Sequence, residues 1–247
     1  MTNIEGPVLI IGAHSDIGRC LGAEYARTGA EVILAARDCG RLEADVADLS
    51  LRAGVTARAV ELDVTQVDPR AFFDTLGETP RTVVMVAGLL GDQTRAQTDA
   101  AHARTLMETN YVGPALLLAE AAERIEAAGG RGAVIGIGSV AGDRGRKTNY
   151  VYGSAKAGLH AFLSGLRHRF AGSGLLVMTV KPGFVRTAMT AGMDLPKPLT
   201  AEPEEVARAI LKAQVRGQEV VYVRPVWRWV MAVITHLPEP LFKRMKV

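Results

Sequence analysis

Val8-Leu-Ile-Ile-Gly-Ala-His-Ser-Asp-Ile-Gly18 is the stretch whose reading decides the fold. Its first four residues are apolar and mostly β-branched, a run short enough for one buried strand. Gly12 and Gly18 then bracket a turn that enters a segment of helical period at 19–28. A strand, a glycine turn and a helix in this order place backbone N–H groups and a helix N-terminus where a pyrophosphate can sit. The pattern is G-x-x-x-D-x-G, with Asp16 standing where such turns commonly carry a glycine. Asp16 has two readings: a carboxylate close to bound phosphates, or a cap that accepts a helix N–H and points away from them. His14 likewise reads as a contact to a phosphate or as a turn-former with its ring in solvent.

The same alternation continues along the chain. Short apolar runs at 8–11, 32–36, 57–62, 83–87, 133–137, 175–180 and 220–223 predict seven strands. Helical stretches separate them, which implies parallel pairing through right-handed crossovers and helices on both faces of the sheet. The expected class is therefore α/β: a Rossmann-type, doubly wound, mainly parallel seven-stranded sheet in one domain. The chain has 247 residues, 48% of them hydrophobic, enough for one large core. Residues 1–224 carry this domain, and 225–247 form an apolar and then basic C-terminal extension. Within the domain, 183–200 reads as an irregular, mobile loop able to close over a substrate, with Met189, Met193, Pro196 and Pro198, and it leads into a helix near 202–216.

Composition excludes several classes. Lys plus Arg total 29 against 26 Asp plus Glu, a net charge of +3, too slight and scattered an excess for a nucleic-acid surface. Cys20 and Cys39 have neither metal-ligand nor redox-motif spacing and read as free thiols; no metal site is expected. The N-terminal stretch 1–7 has no signal-peptide pattern, so a cytoplasmic location is expected.

At the end of the second strand, Leu34-Ala-Ala-Arg37 offers no carboxylate for the two ribose hydroxyls of NAD, and Arg37 offers a guanidinium to a 2′-phosphate. NADP(H) is therefore expected over NAD(H), the alternative being a solvated loop cation.

Tyr152-Gly-Ser-Ala-Lys156 spaces a phenol and an ammonium by four residues, which on a helix puts both on one face, and Ser139 follows the strand at 133–137. Tyr150 lacks a lysine four positions on and is expected to shape the substrate pocket instead. With Asp63, Val86-Ala-Gly88, Asn110 and Pro182-Gly-Phe-Val-Arg-Thr187, the ordered set resembles the short-chain dehydrogenase/reductase family over nearly the whole chain. The resemblance implies hydride transfer between a nicotinamide and an alcohol or ketone. It makes Tyr152 the acid or base at the substrate oxygen, Ser139 a hydrogen bond to that oxygen, Lys156 the holder of the nicotinamide ribose, and Asn110 the residue holding a water beside the lysine. It implies cofactor contacts from Gly12, His14, Ser15, Asp16, Ile17, Gly18, Arg37, Asp63, Val64, Ala87, Gly88, Tyr152, Lys156, Pro182, Gly183, Val185 and Thr187. Asp63 would meet the adenine amino group and Thr187 the carboxamide or pyrophosphate; a helix cap and a loop hydroxyl are the alternatives. Met85-Val-Ala-Gly88 departs from the family's asparagines, as Asp16 departs from its glycine.

Small residues at Gly153, Ala155, Ala157, Gly158 and Ala161 permit close helix approach, and the family resemblance implies a homodimer or homotetramer. In the extension, Val226, Val230, Ile234 and Leu237 recur at helical spacing beside Trp227, Trp229 and Met231, followed by Lys243, Arg244 and Lys246. This suits peripheral membrane contact, and equally a cover over the cleft or a pad between subunits. Together with Asp16 it is similar to the reductases of decaprenylphosphoryl-2-keto-ribose, which implies a lipid-linked keto-sugar. A 3-oxoacyl, steroid or sugar-alcohol dehydrogenase is the alternative, and a non-catalytic NADPH-binding sensor a further one.

Overall fold

A computed structural model describes residues 4, 6–66 and 68–245, so parts of the N-terminal stretch and Lys246 lie outside the described residues. In chain order the first elements are β1 (Val8–Ile11), α1 (Asp16–Ala26), β2 (Val32–Ala36), α2 (Glu43–Ala53), β3 (Ala57–Glu61), α3 (Pro69–Thr75) and β4 (Thr82–Met85). Then come α4 (Gln93–Ala96), α5 (Ala100–Met107), a π-helical turn (Glu108–Val112), α6 (Gly113–Ala127), β5 (Gly132–Ile137), α7 (Tyr150–Arg169) and β6 (Leu175–Pro182). The chain ends through β7 (Phe184–Val185), β8 (Thr200–Ala201), α8 (Pro203–Val215), β9 (Val220–Val223), α9 (Val226–His236) and α10 (Glu239–Phe242).

Seven strands pair in parallel in the order β3-β2-β1-β4-β5-β6-β9, the doubly wound sheet that the alternation implied. β1 carries the reason in its sequence. Val8 and Ile10 pack toward Leu21 and Tyr25 of α1 and Ile210 of α8, while Leu9 and Ile11 pack toward Leu117 of α6 and Leu159 and Leu163 of α7. A strand buried on both faces has to be apolar throughout. β4 ends at Met85, earlier than expected, because the N–H groups of Val86 and Ala87 both donate to the Ile11 carbonyl, at 2.8 and 3.0 Å, and the chain leaves the ladder there.

The chain reverses its winding between β1 and β4: β2 and β3 lie to one side, β5, β6 and β9 to the other. The loops after β1 and β4 therefore part, leaving a crevice at the carboxyl ends of the strands.

Residues 183–200 depart from the expected irregular loop. Phe184–Val185 pairs in parallel with Thr200–Ala201, and two 3-10 turns fill the span between them. Arg224 holds the far arm by donating to the carbonyls of Lys197 and Pro198, at 3.1 and 2.9 Å.

The extension folds onto the domain. Its buried stripe is Trp227, Met231 and Ile234, while Val226 is exposed, because α9 is apolar on nearly every side and only packing selects the inner face. Trp227, 4% exposed, lies edge-on to Phe184 with ring centres 5.5 Å apart and donates its indole N–H to the Leu199 carbonyl at 3.0 Å. A Cβ at Gly183 would stand 2.0 Å from that indole, so only glycine admits it. Trp229, 73% exposed, occupies the opposite face with Val226 and Val233. Among the described residues no helix is long and apolar enough to cross a membrane.

Trp227→Ala is expected to cost about 3–5 kcal/mol and to lower the melting temperature by roughly 6–20 °C, read by differential scanning calorimetry. A change within a degree or two would mean that α9 is not part of the cooperative unit.

Candidate active site

The crevice is a cavity of about 700 Å³. Its first wall is the turn after β1. Gly12 has φ +96°, and a Cβ on it would stand 2.5 Å from the Ala87 nitrogen, so no side chain fits. A Cβ at Gly18 would meet the Gly12 carbonyl at 2.7 Å, which packs the start of α1 against the turn. Ser15, not Asp16, is the cap of α1: its hydroxyl accepts from the Gly18 N–H at 3.1 Å and donates to the Gly12 carbonyl at 2.8 Å. Asp16 is instead the first helical residue, and its carboxylate accepts the N–H of Ala188, 172 residues away, at 2.8 Å. The carboxylate is thereby spent on the chain after β7.

His14 is no solvated turn-former. Its Nε2 donates to the carbonyls of Arg37 and Asp38, at 2.9 and 3.2 Å, joining the glycine turn to the tip of β2. The residue lines the cavity, with its Nδ1 buried and unpartnered. Arg37 is exposed, lines the cavity, and has no hydrogen bond or ion pair from its guanidinium among the described residues. Arg41, which sequence reasoning missed, lines the same wall; its spacing of four after Arg37 was the available signal. Asp63 caps no helix. Burial pushes its carboxyl up, but the Thr65 N–H at 2.9 Å and hydroxyl at 2.7 Å, helped by Arg37, hold it below the usual carboxylate range.

The second wall rises from β5 and α7. Ser139, Tyr152 and Lys156 all line the cavity. Ser139 starts a 3-10 turn, its hydroxyl accepting from the Ala141 N–H at 3.1 Å. Lys156 is 3% exposed and donates to the Ile137 carbonyl at 2.9 Å, and burial holds its ammonium down to about 8. That ammonium lies 5.8 Å from the centre of the Tyr152 ring. Burial pushes the Tyr152 phenol up, while the Ser139 hydroxyl facing it works downward. Tyr150 is absent from the wall: two residues from Tyr152 on a helix, it falls on nearly the opposite face and is 44% exposed.

Val64, Ala87, Gly88, Pro182, Gly183, Val185 and Thr187, with Ile17, also line the cavity, whereas Gly18 and Asn110 sit behind its wall. Asn110 is fully buried in the π-helical turn. Its Nδ2 donates to Leu89 and Leu106 carbonyls at 2.7 and 2.8 Å, and its Oδ1 accepts from the Leu89 N–H at 3.1 Å. Only one Oδ1 lone pair is left for a water. Asn110 and Lys156 approach each other across Gly88, where an added Cβ would lie 3.1 Å from Oδ1 and 3.4 Å from Nζ.

Behind Ser139 lies a polar cluster with no linear signature. The Ser139 N–H donates to His160 Nε2 at 3.3 Å, and His160 Nδ1 faces Asp143 Oδ1 at 3.4 Å. Asp143 also accepts from Lys181 at 2.6 Å and the Tyr222 hydroxyl at 2.8 Å. Burial pushes the Asp143 carboxyl up, yet these three donors hold it at about 2. Small residues on α7 serve contacts within the chain: Gly153 faces the Ala141 carbonyl and Gly158 the Tyr111 ring. Cys20 and Cys39 are free, and among the described residues no group of His, Cys, Asp and Glu could hold a metal ion.

The profile of the short chain dehydrogenases matches residues 7–197. An uncharacterized oxidoreductase of Mycobacterium tuberculosis is 40% identical over 97% of this chain and 96% of its own length. A second, from Streptomyces coelicolor, is 36% identical over 97% and 96%. Among solved structures, a short-chain dehydrogenase from Sphingobium yanoikuyae in complex with NADPH superposes with a TM-score of 0.79 at 30% identity, covering 95% of this chain and 97% of its own. A short-chain dehydrogenase from Burkholderia cenocepacia in complex with NADP shares the fold at a TM-score of 0.82 and 23% identity, over the whole of both chains.

The buried ammonium has a consequence for stability. Lys156 titrates at about 8 in the folded chain, against about 10.4 for an unfolded lysine. As pH rises through this window the folded chain releases its proton first, so the cost of the buried charge is relieved. Wild type should therefore gain stability relative to Lys156→Met between about pH 8 and about pH 10, measured by chemical denaturation. A difference independent of pH would refute the depressed lysine.

Proposed function

Because the chain belongs to the short-chain dehydrogenase family, we propose that it is an NADP(H)-dependent reductase interconverting a ketone and a secondary alcohol, with Tyr152 exchanging the proton at the substrate oxygen. The observation that carries this reading is the convergence of Ser139, Tyr152 and Lys156 on one wall of a cavity whose opposite wall is the glycine turn.

The residues fit a dinucleotide. Gly12, Ser15, Asp16 and Ile17 bring the glycine turn and the N-terminus of α1 to the cavity wall, the close approach of Gly12 to Ala87 admits no Cβ, and the carboxylate of Asp16 is diverted to Ala188. Arg37 and Arg41 flank the place of a 2′-phosphate, and Asp38, on the same wall, leans toward Arg41 at 4.0 Å. Asp63, Val64 and Ala87 would hold the adenosine end; Pro182, Gly183, Val185 and Thr187 would hold the nicotinamide end. When bound, the nicotinamide supplies or receives the hydride.

The chain's own groups do the proton work. Ser139 and Tyr152 grip the substrate oxygen from one side, which fixes the carbonyl and polarises it. Lys156, an ammonium at neutral pH, lowers the cost of phenolate on Tyr152. At an effective dielectric of about 20, a unit charge some 6 Å away is worth about 3 kcal/mol, or about two pH units of acidity. Asn110 pins Leu89 and the π-helical turn, and so sets the floor on which Lys156 rests.

The substrate side is largely apolar: Val140, Phe184, Met189 and Met193 line it. This supports an apolar or lipid-linked carbonyl compound. Trp229, Val226 and Val233 are exposed on α9, and Arg228, Lys243 and Arg244 of the same extension are exposed as well, which supports a resting contact with a membrane surface or a second subunit.

Tyr152→Phe is expected to lower kcat for ketone reduction by about a hundredfold or more while NADPH still binds, as followed by absorbance and fluorescence titration. Substantial turnover in this variant would sink the assignment. Arg37→Asp should reduce kcat/KM for NADPH by roughly tenfold to a hundredfold and favour NADH; an unchanged NADPH/NADH ratio would remove Arg37 from the 2′-phosphate.

A further inference from the structure

We propose that the substrate half of the cavity contains a subsite for an oxyanion, a carboxylate or phosphate carried by the substrate, with Arg146 as its cation and Asn149 beside it. The inference rests on the reductase reading, and it assigns a charge to a substrate that the catalytic residues leave open.

Arg146 lies in the connection from β5 to α7, on the wall that holds Ser139 and Tyr152 and away from the segments after β1, β2 and β3. Its Nε is buried and has no partner. Its Nη2 has only the Met231 sulfur, at 3.4 Å, a weak acceptor. The carboxylate nearest in sequence, Asp143, is already committed to Lys181, Tyr222 and His160. No Asp or Glu occurs among the described residues that line the cavity from Ile137 onward.

Arg144, two residues earlier, shows what a structural arginine looks like in the same turn. It donates to the Ile234 and Leu237 carbonyls, pairs with Glu239 at 3.2 Å and stacks 3.9 Å above the Phe242 ring. Arg144 is satisfied and fastens α9 and α10 to the domain. Arg146 has none of this, and burial pulls its pKa down, with only Asp143 acting against it. An unpaired guanidinium in a partly desolvated wall is costly, and a ligand anion removes that cost.

Asn149 supplies the second observation. It holds the cap position of α7 yet makes no capping bond, and its Oδ1 is buried without a partner at the cavity wall. One turn thus places on the cavity wall an arginine with no carboxylate partner and an asparagine whose amide oxygen is buried without one. With Val140, Phe184 and Met193 around them, they fit a substrate with an apolar body, one oxyanion for the guanidinium fork and a hydroxyl for the amide.

The test uses a matched pair, 4-oxocyclohexanecarboxylate and its methyl ester. Both are titrated calorimetrically into the enzyme, without and with NADP⁺, and both are assayed for reduction with NADPH. Wild type should prefer the acid by about thirtyfold or more in Kd and kcat/KM. In Arg146→Met the acid/ester ratio should fall to near one, and Arg146→Lys should restore part of it. If Arg146→Met does not fold, the lysine variant and the wild-type ratio carry the test. A wild-type ratio near one, a ratio unchanged by either substitution, or no binding of the acid at millimolar concentration would overturn the subsite. Arg146-dependent binding of the acid without reduction of either ketone would leave the subsite standing and remove the reductase reading. Equal reduction of both, indifferent to Arg146, would do the reverse.

Discussion

Gly12 lies so close to the main chain of Ala87 that a single added carbon would overlap its nitrogen. This approach holds the carboxyl ends of β1 and β4 together, with the Ile11 carbonyl accepting both Val86 and Ala87. It is also the point where the winding of the sheet reverses, so the loops beyond it part and the cavity opens between them. A larger residue at 12 would collide with the main chain of Val86 and Ala87 and push the turn away from the end of β4. Gly88, one residue beyond Ala87, is the point across which Asn110 and Lys156 meet, so this approach joins the turn to the opposite wall.

The two walls solve their electrostatics differently. On the glycine-turn wall, charges are exposed or tied to backbone: Asp16 to Ala188, Asp63 to Thr65, His14 to Arg37. On the wall of Ser139 and Lys156 they are buried and must be compensated. Lys156 has a carbonyl, Asp143 has three donors, and His160 uses both ring nitrogens to connect that cluster to the Ser139 N–H. The network behind Ser139 and Lys156 is satisfied, whereas Arg146 Nε and Asn149 Oδ1, in residues that line the cavity, are left without partners.

What was legible in sequence is what depends on local chemistry. Strands buried on both faces are apolar runs; the glycine turn, Tyr152 and Lys156 declare themselves by spacing. What was hidden depends on distant partners. Asp16 could not be placed because its partner, Ala188, comes 172 residues later. His14 looked free because carbonyls, which every residue has, are its partners. The inner face of α9 could not be chosen from sequence because an almost wholly apolar helix gives periodicity nothing to select, and packing of the Trp227 indole against Gly183 decides it. The pair Phe184–Val185 and Thr200–Ala201 is too short to leave a pattern.

Asp16 gains a meaning from this arrangement. It departs from glycine at a turn built to meet phosphate, a position where a free carboxylate would repel the ligand. Accepting the Ala188 N–H turns that charge toward the chain after β7, and Ala188, Met189 and Met193 of that chain line the substrate half. The cofactor turn and the substrate cover therefore share one hydrogen bond. The far end of the same cover is held by Trp227 and Arg224, and α9, which contributes Trp227, also carries the Met231 sulfur that Arg146 touches. Residues 188–193 of the cavity wall are thus tied at one end to the first glycine turn and at the other to the extension, so a change in the extension can reach the cavity without touching Ser139, Tyr152 or Lys156.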